Sequence, residues 1–161
     1  MRSSALQRVQ REATLANLLL AASASLQRET SRQWLPVPPP DFTREQPKLC
    51  WNLETAKRGF DLTRVTGWAY IEDGEVPRGC LPYLLAVGSN GTWLMPGTVV
   101  ERPDVLQVFP VSGQAAADHR LKSGFVFEMS SGQLPDNISG LRVMLGSANR
   151  PPAISPEFQF A

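Results

Sequence analysis

The chain has 161 residues, enough for one domain with a sizeable core and some chain left over. Its 14 prolines and 12 glycines favour short elements joined by many turns. With 16 Lys and Arg against 15 Asp and Glu, the formal net charge is +1, so there is no long-range electrostatic case for nucleic acid, where a basic stripe would be expected. Residues 3 to about 34 have the spacing of one long α-helix. Leu15, Leu18, Leu19, Ala22 and Leu26 share one face, and Leu6, Val9, Ala13, Ala16 and Leu20 form a second stripe roughly opposite. A helix with two apolar stripes packs on both sides. One side suits its own domain, and the other suits a self-copy or another protein, so Leu15, Leu18, Leu19 and Leu26 are candidate assembly residues.

The same segment competes as a signal peptide, with arginines, an apolar run and a small-residue cleavage site within Ala13–Ala24. Glu12 beside the run and Asn17 inside it argue against that reading. A cytoplasmic location is favoured, and a periplasmic or secreted one follows only if Ala13–Ala24 is a signal. The run is too short for a transmembrane segment, and its polar face lacks the lysine and arginine density of an interfacial membrane helix. Trp34-Leu35-Pro36-Val37-Pro38-Pro39-Pro40 ends the helix, because proline lacks a donor and keeps its predecessor extended. Residues 35–48 are expected to form a proline-rich linker.

From Leu49 the texture changes to strands and turns, and residues 49–161 are expected to form the folded domain. Leu49–Leu53 is a first strand candidate. In Leu62–Ile71, the set Val65, Gly67, Ala69 and Ile71 alternates with Thr66, Trp68 and Tyr70, the period of a sheet. Leu81–Val87 follows, and Ser89-Asn90-Gly91 makes a hairpin into Thr92–Met95. Next come Thr98–Val100, the polar corner Arg102-Pro103-Asp104, and the apolar run to Phe109-Pro110. Ser112–Lys122 reads as a surface loop or short helix, Gly124–Met129 and Leu141–Leu145 as strands, and Glu157–Phe160 as a closing alternating pair. Short strands at roughly ten-residue spacing argue an antiparallel β-sandwich, with a small barrel as the alternative.

Chemistry-bearing groupings are sparse. His119 is the single histidine; it reads as an exposed loop residue, with no serine-presenting turn to serve. Cys50 and Cys80 read either as two buried thiols or as one disulfide, which needs an oxidising compartment. A zinc site lacks its ligand set, so no metal and no cofactor are expected. No catalytic residues are assigned, and a glycan hydrolase would rest only on unassigned carboxylates. The aromatics retain potential. If the aliphatic face of Leu62–Ile71 is the buried one, Trp68 and Tyr70 form an exposed pair that, with Trp93, offers rings for stacking on sugars. Asn90-Gly91-Thr92 and Asn137-Ile138-Ser139 match the glycosylation acceptor pattern, which occurs often by chance.

Gly67-Trp68-Ala69, Arg102-Pro103-Asp104-Val105 with Phe109-Pro110, Ser123-Gly124-Phe125 and Gly140-Leu141-Arg142-Val143 occur in that order. The series, over roughly residues 50–161, resembles an immunoglobulin-like β-sandwich module appended to bacterial glycosyltransferases and other cell-envelope glycan proteins. The resemblance implies a mainly β, antiparallel immunoglobulin-like sandwich, here preceded by one long N-terminal α-helix. It also implies a non-catalytic accessory role: binding, spacing or assembling, with a protein or possibly a glycan as partner. The chain departs from the pattern in carrying the helix in front and no attached catalytic domain. Within the series, Arg102 and Asp104 are expected to form a structural clasp if buried, the favoured reading, or a recognition element if exposed, with Asp104 capping a short turn over Val105–Phe109.

Overall fold

Leu62–Ile71 alternates as a sheet requires, and it forms β3, an inner strand bonded along both sides. The computed structural model describes residues 34–40, 46–72, 79–146 and 151–161. The expected helix, with Leu15, Leu18, Leu19 and Leu26, and the Ala13–Ala24 signal reading lie outside these residues. Among the described residues two antiparallel sheets face each other. A 4-stranded sheet has the order β2 (Leu49–Arg58), β3, β7 (Gly124–Ser130), β6 (Thr98–Val100). A 5-stranded sheet has the order β1 (Leu35–Val37), β5 (Gly91–Pro96), β4 (Leu81–Gly88), β8 (Ile138–Gly146), β9 (Ala153–Ile154).

The sequence places these strands for ordinary reasons. Ser89-Asn90 turns β4 into β5, whose first residue, Gly91, has φ 148, a conformation open to glycine. Pro96-Gly97 then hands the chain from one sheet to the other. Between the sheets lie Val65, Ala69, Phe125, Phe127 and Met129 from one side and Leu84, Ala86, Met95, Leu141 and Val143 from the other. Gly67 leaves room in that layer, since a Cβ there would come 2.8 Å from the Phe125 ring. The C-terminal tail closes one open side: Phe158 and Leu141 exchange backbone hydrogen bonds, Trp51 meets Phe158 at 5.9 Å, and the Ala161 amide donates to Ala56 of β2.

Three expectations change. The proline-rich run is more than a spacer, because Leu35–Val37 pairs with Leu94–Thr92 as an edge strand, where proline is tolerated. The polar corner opens a helix rather than a turn: α1 covers Pro103–Val108, with proline at its first position, where its missing donor is harmless. Asp104 therefore sits inside the first helical turn and does not cap it; Arg102 occupies the cap position and no side chain caps the helix. A second helix, α2 (Gln114–Leu121), fills the expected loop or short helix, and α1 and α2 lie against one another.

Candidate functional site

On β3, Val65 and Ala69 point into the inter-sheet core, which leaves Trp68 and Tyr70 on the outer face of the 4-stranded sheet. That arrangement is the one expected to expose them as a pair. The structure instead lays the α1–α2 hairpin over them. Phe109, at the end of α1, approaches Trp68 at 5.5 Å and Tyr70 at 6.2 Å, while Trp68 stacks on Tyr70 at 5.8 Å with 12° between the planes. The Arg120 guanidinium of α2 sits 4.6 Å over the Tyr70 ring and donates to the Phe109 carbonyl at 2.7 Å. Tyr70 is consequently 2% exposed and unavailable to a ligand, and Trp68 is half-buried. Burial, then hydrogen bonding with Cys50, pushes the Tyr70 hydroxyl up to about 12. Cys50 and Cys80 are both half-buried thiols and are not joined in a disulfide.

The Arg102 clasp lies beside this cluster and includes a partner that the sequence did not announce. Gly124 stands between Trp68 of β3 and Val100 of β6, so this row of the sheet has a gap at its centre. Arg102 lies across the gap, since a Cβ on Gly124 would come within 2.8 Å of the Arg102 Cγ. Its Nε donates to Asp104 Oδ1 at 2.9 Å and its Nη2 to Oδ2 at 2.7 Å, a forked pair. The other side of the guanidinium reaches Glu54, with Nη1 on Oε1 and Nη2 on Oε2 at 3.3 Å. Glu54 is the extra residue of a β-bulge between Leu53 and Thr55, a device that re-aims a side chain. Arg102 holds the Asp104 carboxyl down at about 2, while its own pKa is pushed up by hydrogen bonding to Asp104 and then Glu54.

His119 is the other displaced expectation. It belongs to α2 and is half-buried, and its Nε2 accepts the Ile71 backbone N–H at 2.9 Å. That bond places the ring proton on Nδ1 and occupies the nitrogen a general base would use. Burial lowers its pKa, as does the neighbouring Arg120 charge. Close by, a cavity of about 550 Å³ is lined by His119, Lys122, Ser123, Cys80 and Leu145, and Lys122 pairs with Asp118 at 3.4 Å.

Trp93 joins neither group. It lies in the other sheet, half-buried at its β1 edge opposite the exposed Pro36. The expected ligand set Trp68, Tyr70 and Trp93 is therefore not brought together. Sequence reasoning missed Glu54 and Arg120. A bulge has no signature in Leu53-Glu54-Thr55, and an arginine on a short polar helix looks solvated until the helix is placed. Among the described residues no helix is long and apolar enough to cross a membrane, and no three His, Cys, Asp or Glu side chains gather as a metal site. Comparisons with protein-family profiles, curated proteins and solved structures gave no match.

Proposed function

We propose that this chain is a non-catalytic interaction module of the immunoglobulin-like accessory type, working with bacterial cell-envelope polysaccharide proteins, with residues 1–34 as its assembly element. One observation carries the reading. The side chains with chemical potential on the outer face are engaged within the fold, while apolar ones beside them are exposed. Arg102 binds Glu54 and Asp104, Arg120 binds the Phe109 carbonyl, and the His119 acceptor nitrogen binds Ile71. Around them, Val108 is 68% exposed, Val100 39% and Phe109 37%. Exposed apolar side chains beside engaged polar ones favour contact with another macromolecule over turnover of a small substrate. The test of the assembly part is the solution mass of the full chain across a concentration range. Mass above the monomer that falls on dilution supports self-association, and a monomer throughout, with no partner bound, removes it.

A second reading, glycan binding, is favoured by Trp93, a half-buried ring on β5, one strand in from the sheet edge and paired with exposed Pro36 of the edge strand β1. Titration with envelope polysaccharide fragments should then change tryptophan fluorescence in the parent and not in Trp93→Phe. No change in the parent would remove this alternative. A glycan hydrolase remains the remote third reading, resting on carboxylates that no cleft selects.

A further inference from the structure

Hairpin tips are ordinarily polar, since a turn has no layer behind it to receive an apolar ring. The hairpin joining β2 to β3 departs from this. Phe60 at its tip is 98% exposed and Leu62 beside it 48%, so Phe60 is the most exposed large apolar side chain among the described residues. A lone exposed ring on a loose loop would need no explanation, but this loop is fixed. The Gly59 amide donates to the Leu62 carbonyl at 2.8 Å, an approach so close that a Cβ on Gly59 would come within 2.6 Å of that oxygen. Ser131, just past β7, holds the loop from the side. Its amide donates to the Asp61 carbonyl at 2.9 Å and its hydroxyl to the Gly59 carbonyl at 2.7 Å. That hydroxyl has given its one proton, so the buried Thr63 hydroxyl, 2.8 Å away, donates to it. These bonds hold Phe60 outward, and the ring can enter an apolar phase with little further ordering of the backbone.

The charges around the ring favour one sign. Lys57, Arg58 and Arg64 are all exposed there, against Asp61 and Glu128. Lys57 stands directly opposite Arg64 in the β2–β3 register, a like-charge pair that weakens a hairpin. Arg64 turns to Glu128 at 3.6 Å, whereas Lys57 and Arg58 have no ion pair among the described residues. These two cations therefore do nothing for the hairpin itself. Measured along the strand, Arg58 and Lys57 lie about 7 and 10 Å behind Phe60. A bilayer interface has that spacing: an apolar group reaches the acyl boundary while cations about 5–10 Å above it meet the lipid phosphates. A protein partner suits the tip less well, because one ring among like charges offers no dry, contiguous centre for an interface.

We infer that the β2–β3 tip is a membrane-contact site, with Phe60 and Leu62 entering the interface of an anionic bilayer while Lys57 and Arg58 pair with its lipid headgroups. The tip lies at the end of β3 away from Trp68 and Tyr70, and the inference is independent of the assembly reading. Asp61, the carboxylate at the tip, opposes the contact and gives it a signed test. The full chain should cosediment with phosphatidylcholine vesicles containing about 30% phosphatidylserine, and about fivefold or more less well with phosphatidylcholine alone. Phe60→Ser should weaken binding to the anionic vesicles about tenfold at unchanged Tm, because so exposed a ring supports no packing. Phe60→Leu should keep most of the binding. Lys57→Gln with Arg58→Gln should weaken it about tenfold, and Asp61→Asn should strengthen it. A parent chain that does not sediment with anionic vesicles overturns the inference, as does equal sedimentation with neutral ones. Equal binding of Phe60→Ser and the parent also overturns it, since the lipid contact then belongs to another part of the chain. Should Phe60→Ser lower the Tm, Asp61→Asn decides, because that side chain is exposed: stronger binding supports the inference, and unchanged or weaker binding overturns it. Self-association lost in Phe60→Ser, without vesicle binding by the parent, makes the tip a protein contact and overturns it.

Discussion

His119 connects burial to pH through a definite sign. Its folded pKa lies below the ordinary 6.5 of the unfolded chain, because burial and Arg120 disfavour the charged ring more than Asp118 favours it. As pH falls through the unfolded value, the unfolded state takes up the proton first, so stability declines; above that value both states are neutral and the contribution is flat. Thermal melts from about pH 7.5 to about pH 5 should therefore show a falling Tm. His119→Gln, whose carbonyl can still accept from Ile71, should flatten the slope, and an unchanged slope would remove the assignment. The Asp104 contribution falls in a different window, since its carboxyl titrates near 2 against an ordinary 3.8. Arg102 makes a second prediction at this scale. Its side chain is 20% exposed and bridges two carboxylates, so Arg102→Ala should lower unfolding stability by about 1–2 kcal/mol. Arg102→Lys keeps the charge and loses the fork, and denaturant melts should show it recovering less than half.

At the scale of elements, the α1–α2 hairpin and the 4-stranded sheet fit through what β7 omits. The gap at Gly124 admits the Arg102 stem between Val100 and Trp68, and the ring row Trp68, Tyr70 and Phe109 continues the contact. Gly124→Ala would bring a Cβ to 2.5 Å from the Val100 carbonyl of β6 and 2.8 Å from the Arg102 Cγ, and should displace both and cost about 1–3 kcal/mol, read from chemical denaturation. Gly132→Ala is the control, since an added Cβ there meets nothing closer than 3.9 Å and its effect should be negligible. Equal losses at the two positions would mean that the Gly124 gap does not matter to the packing of Val100 and Arg102. The closing tail is testable likewise. Phe158 is half-buried against Trp51, and Phe158→Ala should cost about 2–3 kcal/mol and shift tryptophan emission to the red.

For the whole molecule, the readable part of the sequence was the part governed by short-range periodicity. Alternation in Leu62–Ile71 and Gly124–Met129 specifies strands because neighbouring side chains on a strand point to opposite faces, and Ser89-Asn90-Gly91 specifies the hairpin. The number of layers was not readable that way. Alternation at Trp68 and Tyr70 correctly separates two faces, yet both faces are covered, one by the partner sheet and one by α1 and α2. In β4 the run Leu81–Val87 hardly alternates in polarity, which is the mark of a strand buried on both sides. Glu54 and Arg120 were invisible for a related reason: a bulge and a packed helix become visible only when a distant residue, Arg102 or Tyr70, arrives to meet them. By itself the sequence determined the mainly β character, most of the strands, the turn between β4 and β5, and the near-neutral surface. Only the tertiary structure decided that the aromatic pair is covered, that His119 is an anchored acceptor, and that the 5-stranded sheet has a buried far face. The first set depends on residues a few positions apart, and the second on burial, which is a property of what other parts of the chain come to lie on top.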